Sequence, residues 1–207
     1  QKWADDNNLL LNVTKSVEIV FMPPRGRRDV DIPPPAVPGI ARVESIKALG
    51  VTISRNFSVS QHVDDLLTAS ARTLFALRTL KQHGLPSCAL QEVFQATVIS
   101  RLSYAMPAWW GFTSAADRDR LDAFLRRSIR FGYRDASAMS ITAISERADD
   151  RLFSSVTSNS GHLLYPLLPP KRRHQYSLRQ RPHQYQIPTR TTALSDNNFI
   201  TRMLFKA

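Results

Sequence analysis

Apolar positions recur every second residue between residues 16 and 53, and every third or fourth from residue 58 onward, so the chain changes from strand to helix partway along. Val17, Ile19 and Phe21 predict a strand over 16–21 that Pro23-Pro24 stops. A second alternation at 42–46 leads into Leu49, Val51 and Ile53, which alternate with Gly50 and Thr52. Together these predict a small three-stranded antiparallel sheet. Ahead of it Trp3, Asn7, Leu10 and Leu11 share one helical face, which predicts a helix over 1–11 that Asn12 ends by adopting the left-handed conformation. Six of the thirteen prolines fall within 23–38, where Arg25, Arg27 and Arg28 also lie, so 25–38 reads as an exposed loop.

The helical half divides by its breakers. Val63, Leu66, Leu67, Leu74, Leu77 and Leu80 form an apolar stripe that Gly84-Leu85-Pro86 terminates. A second helix opens at Pro86 or Ser87 and carries Leu90, Val93, Phe94, Val98 and Leu102, which predicts an antiparallel hairpin with the first. Ser114 with Asp117 three residues on reads as a capping box opening a third helix, and two shorter helices are expected at 140–148 and 149–157. After Gly161 no burial period is visible. The expected class is therefore α+β, with a small antiparallel sheet over 1–57, a helical bundle over 58–160 and an extended, largely irregular basic region over 161–207.

The charge of +11 at pI near 10.5 points to a polyanionic partner, and its distribution sharpens that. Residues 1–57 and 58–170 each contribute +2, whereas 171–207 carry eight Lys/Arg against Asp196 alone. Basic and aromatic residues interleave in Lys171-Arg172-Arg173-His174-Gln175-Tyr176-Ser177-Leu178-Arg179-Gln180-Arg181, where cations would neutralise phosphates and rings would stack on unpaired bases. Nuclear targeting is an equal reading of the same stretch. Cys88 is the only cysteine, which excludes an intrachain disulfide and a multi-thiolate zinc site and fits a reducing, intracellular setting of cytoplasm and nucleus. No apolar run is long enough for a membrane span, and the first residues do not read as a signal peptide. The start without Met, inside a helical pattern, is expected of a fragment of a longer protein.

Trp3, Asn7, Leu9, Leu11-Asn12, Lys15 and Glu18, then Leu49-Gly50-Val51-Thr52-Ile53 and His62, stand in an order that resembles non-LTR (LINE-type, Jockey-like) retrotransposon reverse transcriptases. Leu102-Ser103-Tyr104 with Trp109-Trp110-Gly111, the stretches 167–170 and 178–183, Ile187-Pro188 and the run 198–206 are similar to the C-terminal part of such polyproteins. The resemblance implies an RNA-directed DNA polymerase whose metal-binding aspartates lie upstream, so that this chain supplies the palm end, the thumb and the C-terminal region. Mg²⁺ would belong to the complete parent, with no cofactor held here. Ala4-Asp5-Asp6 mimics the catalytic turn but follows Trp3 within a helical pattern, and so is not read as a metal site.

The resemblance further implies that Lys15 takes the place of a lysine that protonates leaving pyrophosphate, with a solvated lysine as the equal alternative. It makes Leu49, Gly50 and Val51 a primer grip that positions the primer end. The helices from residue 58 would grip a template-primer duplex through Arg72, Arg78 and Lys81, assisted by Lys171, Arg172, Arg173, Tyr176, Arg179 and Arg181. Trp109 and Trp110 read as core or interface anchors rather than base-stacking platforms. The expected partners are RNA/DNA hybrid or other nucleic acid and the remainder of the parent polyprotein (upstream palm, fingers, endonuclease), with no membrane. A different class, a non-catalytic basic binding module, fits the same residues, as more weakly does a helical interaction protein with an incidental basic tail. Sequencing the reading frame upstream discriminates the first two: a Tyr/Phe-Ala-Asp-Asp turn supports the polymerase fragment, and a start codon directly before Gln1 supports the module.

Overall fold

The computed structural model describes residues 2–10, 12–21, 33–171 and 183–206. It is an α-rich α+β arrangement of two units, 1–62 and 63–207. No helix among the described residues is long and apolar enough to cross a membrane.

In the first unit, helix α1 spans Lys2–Asp6 and ends earlier than the apolar spacing predicts. Asn8, not Asn12, takes the left-handed turn (φ +54°), and the Leu9 N–H reaches back to the Ala4 carbonyl at 2.8 Å. Asn12 instead caps a 3₁₀ turn, Val13–Lys15, by accepting from the Lys15 N–H. Strand β1 (Val17–Glu18) is short and pairs in parallel with β2 (Ala41–Arg42), an alignment fixed by a 2.7 Å ion pair between Glu18 and Arg42. Strands β3 (Ser45–Ala48) and β4 (Val51–Ser54) make a separate antiparallel hairpin. The expected three-stranded antiparallel sheet is thus two pairs, one of them parallel.

The hairpin also corrects the reading of its own centre. Ala48 pairs with Val51, which leaves Leu49-Gly50 as a two-residue turn rather than strand. Both take positive φ (+48° and +86°), as the hairpin turn matched to strand twist requires. Glycine does this freely, whereas leucine is strained there and still holds its side chain 93% exposed.

The second unit begins within α2 (Ser60–Gln82). Val63, Leu66 and Leu77 bury its inner face, while Leu80 falls at the rim and stays part-exposed. Gly84 (φ +87°) closes the helix, with the Leu85 N–H returned to the Leu80 carbonyl. Helix α3 (Ser87–Phe94) continues through a wide turn, Gln95–Ile99, into α4 (Ser100–Ser103). Arg101 donates to Thr73 across the hairpin, as antiparallel helices require. Helix α5 (Met106–Trp109) follows a left-handed Ala105, and Trp109 is fully buried with its indole N–H on the Tyr104 carbonyl.

Helix α6 (Ala115–Arg130) opens with the expected Ser114/Asp117 capping box. In place of two short helices, α7 (Ile141–Ser158) is continuous. Asp149-Asp150 suggested a helix start, but these acids lie mid-helix and answer cations from the C-terminus. Arg202 forks onto Asp149 at 2.6 and 3.2 Å, and Lys206 meets Asp150 at 2.5 Å. Arg202 lies in α9 (Phe199–Phe205), capped by Asn198, and Lys206 just past its end; α9 and the preceding α8 (Ala193–Asn197), capped by Thr192, are absent from the sequence reading. Residues 193–205 are therefore folded against the bundle rather than irregular. Gly111 admits this docking, because a Cβ there would stand 1.9 Å from the Asn197 carbonyl oxygen.

Burial pushes the Asp149 carboxyl above its ordinary range, and Arg202 pulls the other way. Removing Arg202 leaves an uncompensated buried charge, so Arg202→Met is expected to cost about 3 kcal/mol at neutral pH. Because both forms share the same unfolded carboxyl, that deficit should open as pH rises through the parent's raised folded-state value and shrink below it. Urea unfolding at several pH values measures this. Leu49→Asn relieves the turn and is expected to raise stability by about 1 kcal/mol.

Candidate nucleic-acid interface

Along α2, Arg72, Phe75, Arg78 and Lys81 follow one another at three-residue steps. Each step turns about 60° back around a helix that advances ~100° per residue. Neighbours in the series therefore share a side, while Arg72 and Lys81 end on opposite sides. Arg78 and Lys81 reach a common pocket with Leu74, Phe75 and Gln82, and Arg72 does not line it. The opposite wall is Phe131 and Tyr133, just beyond α6, and the cavity measures about 640 Å³.

One lysine shapes this pocket. Lys81 Nζ donates to the Phe131 carbonyl at 3.0 Å, where α6 ends, and lies 5.7 Å from the centre of the Tyr133 ring. An ammonium at a helix C-terminus meets carbonyls that have no partner in the helix and the negative end of its dipole. Lys81 is therefore first a structural tie between α2 and α6. Gly132 (φ +79°) makes the turn that brings Phe131 and Tyr133 to the wall, where their rings lie 6.2 Å apart.

The wall has an unusual make-up for a solvent-facing surface. Phe75 is 74% exposed and Phe131 52%, so two phenyl rings face water beside Arg78, with no acidic residue in the lining among the described residues. The last turn of α6 adds exposed Arg127 and Arg130 next in sequence to Phe131. Arg134 turns inward instead, with burial lowering its guanidinium pKa and Asp122 opposing that. Phe75, Gln82, Phe131 and Tyr133 were missed by sequence reasoning. Phe75 was detectable, since it sits between two arginines and off the apolar stripe.

The other expected residues are scattered. Lys15 is exposed at the end of its 3₁₀ turn. Of the grip residues, Leu49 and Gly50 form the hairpin tip, whereas Val51, the first residue of β4, is 6% exposed. Arg72 is exposed on α2 away from the pocket. Lys171 stands 5.9 Å over the Tyr185 ring and pairs with Tyr185 as a single antiparallel bridge. Arg172, Arg173, Tyr176, Arg179 and Arg181 lie outside the described residues.

That bridge changes what the basic stretch is. His183 accepts the Tyr185 N–H on Nδ1 and, through Nε2, meets the Leu204 carbonyl at 2.9 Å. Its ring also packs edge-on against Phe153 of α7. The two ends of the stretch therefore meet each other, the His183 end is held to α7 and α9, and Arg190 lies 4.3 Å over Phe205. Trp109 and Trp110 are core residues, as expected.

Ala4-Asp5-Asp6 falls within α1 and not between strands, so these residues do not form the turn that would hold a catalytic Mg²⁺. Among the described residues no group of three or more His, Cys, Asp or Glu is arranged to hold a metal ion. No family model, curated protein or solved structure matches the chain.

The two pocket cations are expected to separate by stability. Lys81→Ala removes the helix tie and should cost about 1 kcal/mol, whereas Arg78→Ala, on the surface, should stay within about 0.5 kcal/mol of the parent in thermal unfolding.

Proposed function

We propose that the chain binds nucleic acid through its backbone and is the palm end and thumb-like part of a non-LTR retrotransposon reverse transcriptase, without the catalytic aspartates. The binding rests on one observation, the acid-free pocket in which exposed Phe75 and Phe131 stand beside Arg78 and Lys81. Solvent-facing rings bordered by cations match a polymer of aromatic bases joined by phosphates. Support for the polymerase assignment comes from the order of its sequence motifs and from the tight Leu49-Gly50 turn, which precedes the long α2 helix in sequence with β4 between them. In this reading the strained, exposed Leu49 presents apolar surface to a primer end, and strain of that kind collects at functional positions. The residue roles are positioning ones, and Mg²⁺ chemistry would be supplied by the parent's upstream half.

A non-catalytic binding module is the second reading. It is favoured by the Asp149–Arg202 pair, which holds the C-terminal helix α9 to α7 within the second unit.

The test is a titration of the intact chain with RNA/DNA hybrid at several salt concentrations. Binding with log K falling linearly in log salt is expected, and absence of binding at about 50 mM salt would refute the reading. Replacing Arg172, Arg173, Arg179 and Arg181 with Gln in the intact chain apportions the affinity, since each lost phosphate contact lowers the slope by about 0.9. Ending the chain at Pro170 would not serve, because it removes Arg202 and strands Asp149.

A further inference from the structure

We infer that the pocket between the ends of α2 and α6 takes an unpaired base of a single strand, stacked on Phe75 and Phe131, with Arg78 on the adjoining phosphate. This rests on the nucleic-acid reading above and narrows it, since a duplex offers its phosphates to such a pocket but keeps its base faces stacked inside.

Three features carry the inference. First, two exposed phenyl groups line the same pocket. Phe75 projects from α2 and Phe131 from the turn after α6, so the guest meets ring surface from two elements. Their exposure is a standing cost that burial beneath a base would relieve. The pocket's volume of about 640 Å³ lies within the range of clefts that hold small ligands, roughly 300–1,000 Å³.

Second, the charge is arranged for one phosphate rather than many. Lys81 spends a donor on the Phe131 carbonyl and lies against the Tyr133 ring, whereas Arg78, also exposed in the lining, brings a planar fork of donors. Gln82, one helical turn beyond Arg78, brings an amide able to donate to and accept from a base edge. Third, the walls are held in place without a guest. The Lys81 tie, together with the ion pair between Asp64 and Arg120 nearer the helix starts, pins α2 to α6 at both ends. The rings therefore need little reordering on binding, which favours affinity.

The experiment measures the intact chain against a fluorescent oligothymidylate, an abasic strand of equal length and a blunt RNA/DNA hybrid, by anisotropy across salt. Phe75→Ala should weaken oligothymidylate binding about tenfold and leave its salt slope unchanged, with the abasic strand and the hybrid little affected. Phe75→Trp should restore the affinity. Arg78→Gln should lower the slope on the single strand by about 0.7. Phe75 is mostly exposed, so its replacement leaves the fold intact, and Phe131→Ala gives an independent check from the other wall. Equal binding of oligothymidylate and abasic strand, or no effect of both alanine variants, would overturn base stacking while leaving the backbone-binding reading in place. Failure of every nucleic acid to bind at low salt would overturn both.

Discussion

Asp149 sits midway along α7, nearly buried, and a carboxylate in that position needs an answering charge. Arg202 supplies it with two hydrogen bonds and spends a further donor on the Pro107 carbonyl at 3.2 Å. Much of the helical unit's layout follows. For Arg202 to arrive, the C-terminal helices must lie against α5 and α7, and Gly111 must lack a side chain so that Asn197 can pass. With α9 held there, His183 meets the Leu204 carbonyl, and Lys171 and Tyr185 pair as a single bridge. Such a pair contributes little net stability after desolvation, and its importance is in which arrangement it permits.

The same pairing redistributes the charge. In the sequence, residues 171–207 look like a uniform cationic tail. In the fold Arg202 and Lys206 are matched by carboxylates, and Lys171 and Arg190 lie on aromatic rings. Elsewhere Arg120 pairs with Asp64, and Arg118 stacks on Trp110. Net charge therefore overstates the cation surface open to a polyanion, and the pocket at the ends of α2 and α6 gains weight as a place where an open cation and open rings coincide.

The helical segments were legible because their signals are local. Ser114 and Asp117 fix a helix start within one turn, Gly84 fixes a stop, and the stripe from Val63 to Leu77 needs only a 3.6-residue period. What escaped depends on distant partners. Asp149-Asp150 resembled a boundary because the cations that satisfy them lie about fifty residues later. Helices of five and seven residues carry too little periodicity to stand out from a basic background. In the first unit the alternation at Leu49 to Ile53 was real but its phase was misjudged, since Leu49 is an unlikely turn residue and only the Ala48–Val51 pairing reveals it. Half of the pocket was visible as Arg78 and Lys81. The other half, Phe131 and Tyr133, is some fifty residues away in sequence and is brought there by a single ammonium on a helix end.

The most direct test of where this chain meets nucleic acid is photocrosslinking of a thiothymidine-containing single strand to the intact protein, with the attached peptides identified by mass spectrometry. The account predicts attachment within the peptides bearing Phe75 to Gln82 and Phe131 to Tyr133. Attachment confined to the peptides of α8 and α9, with none at those two places, would contradict it.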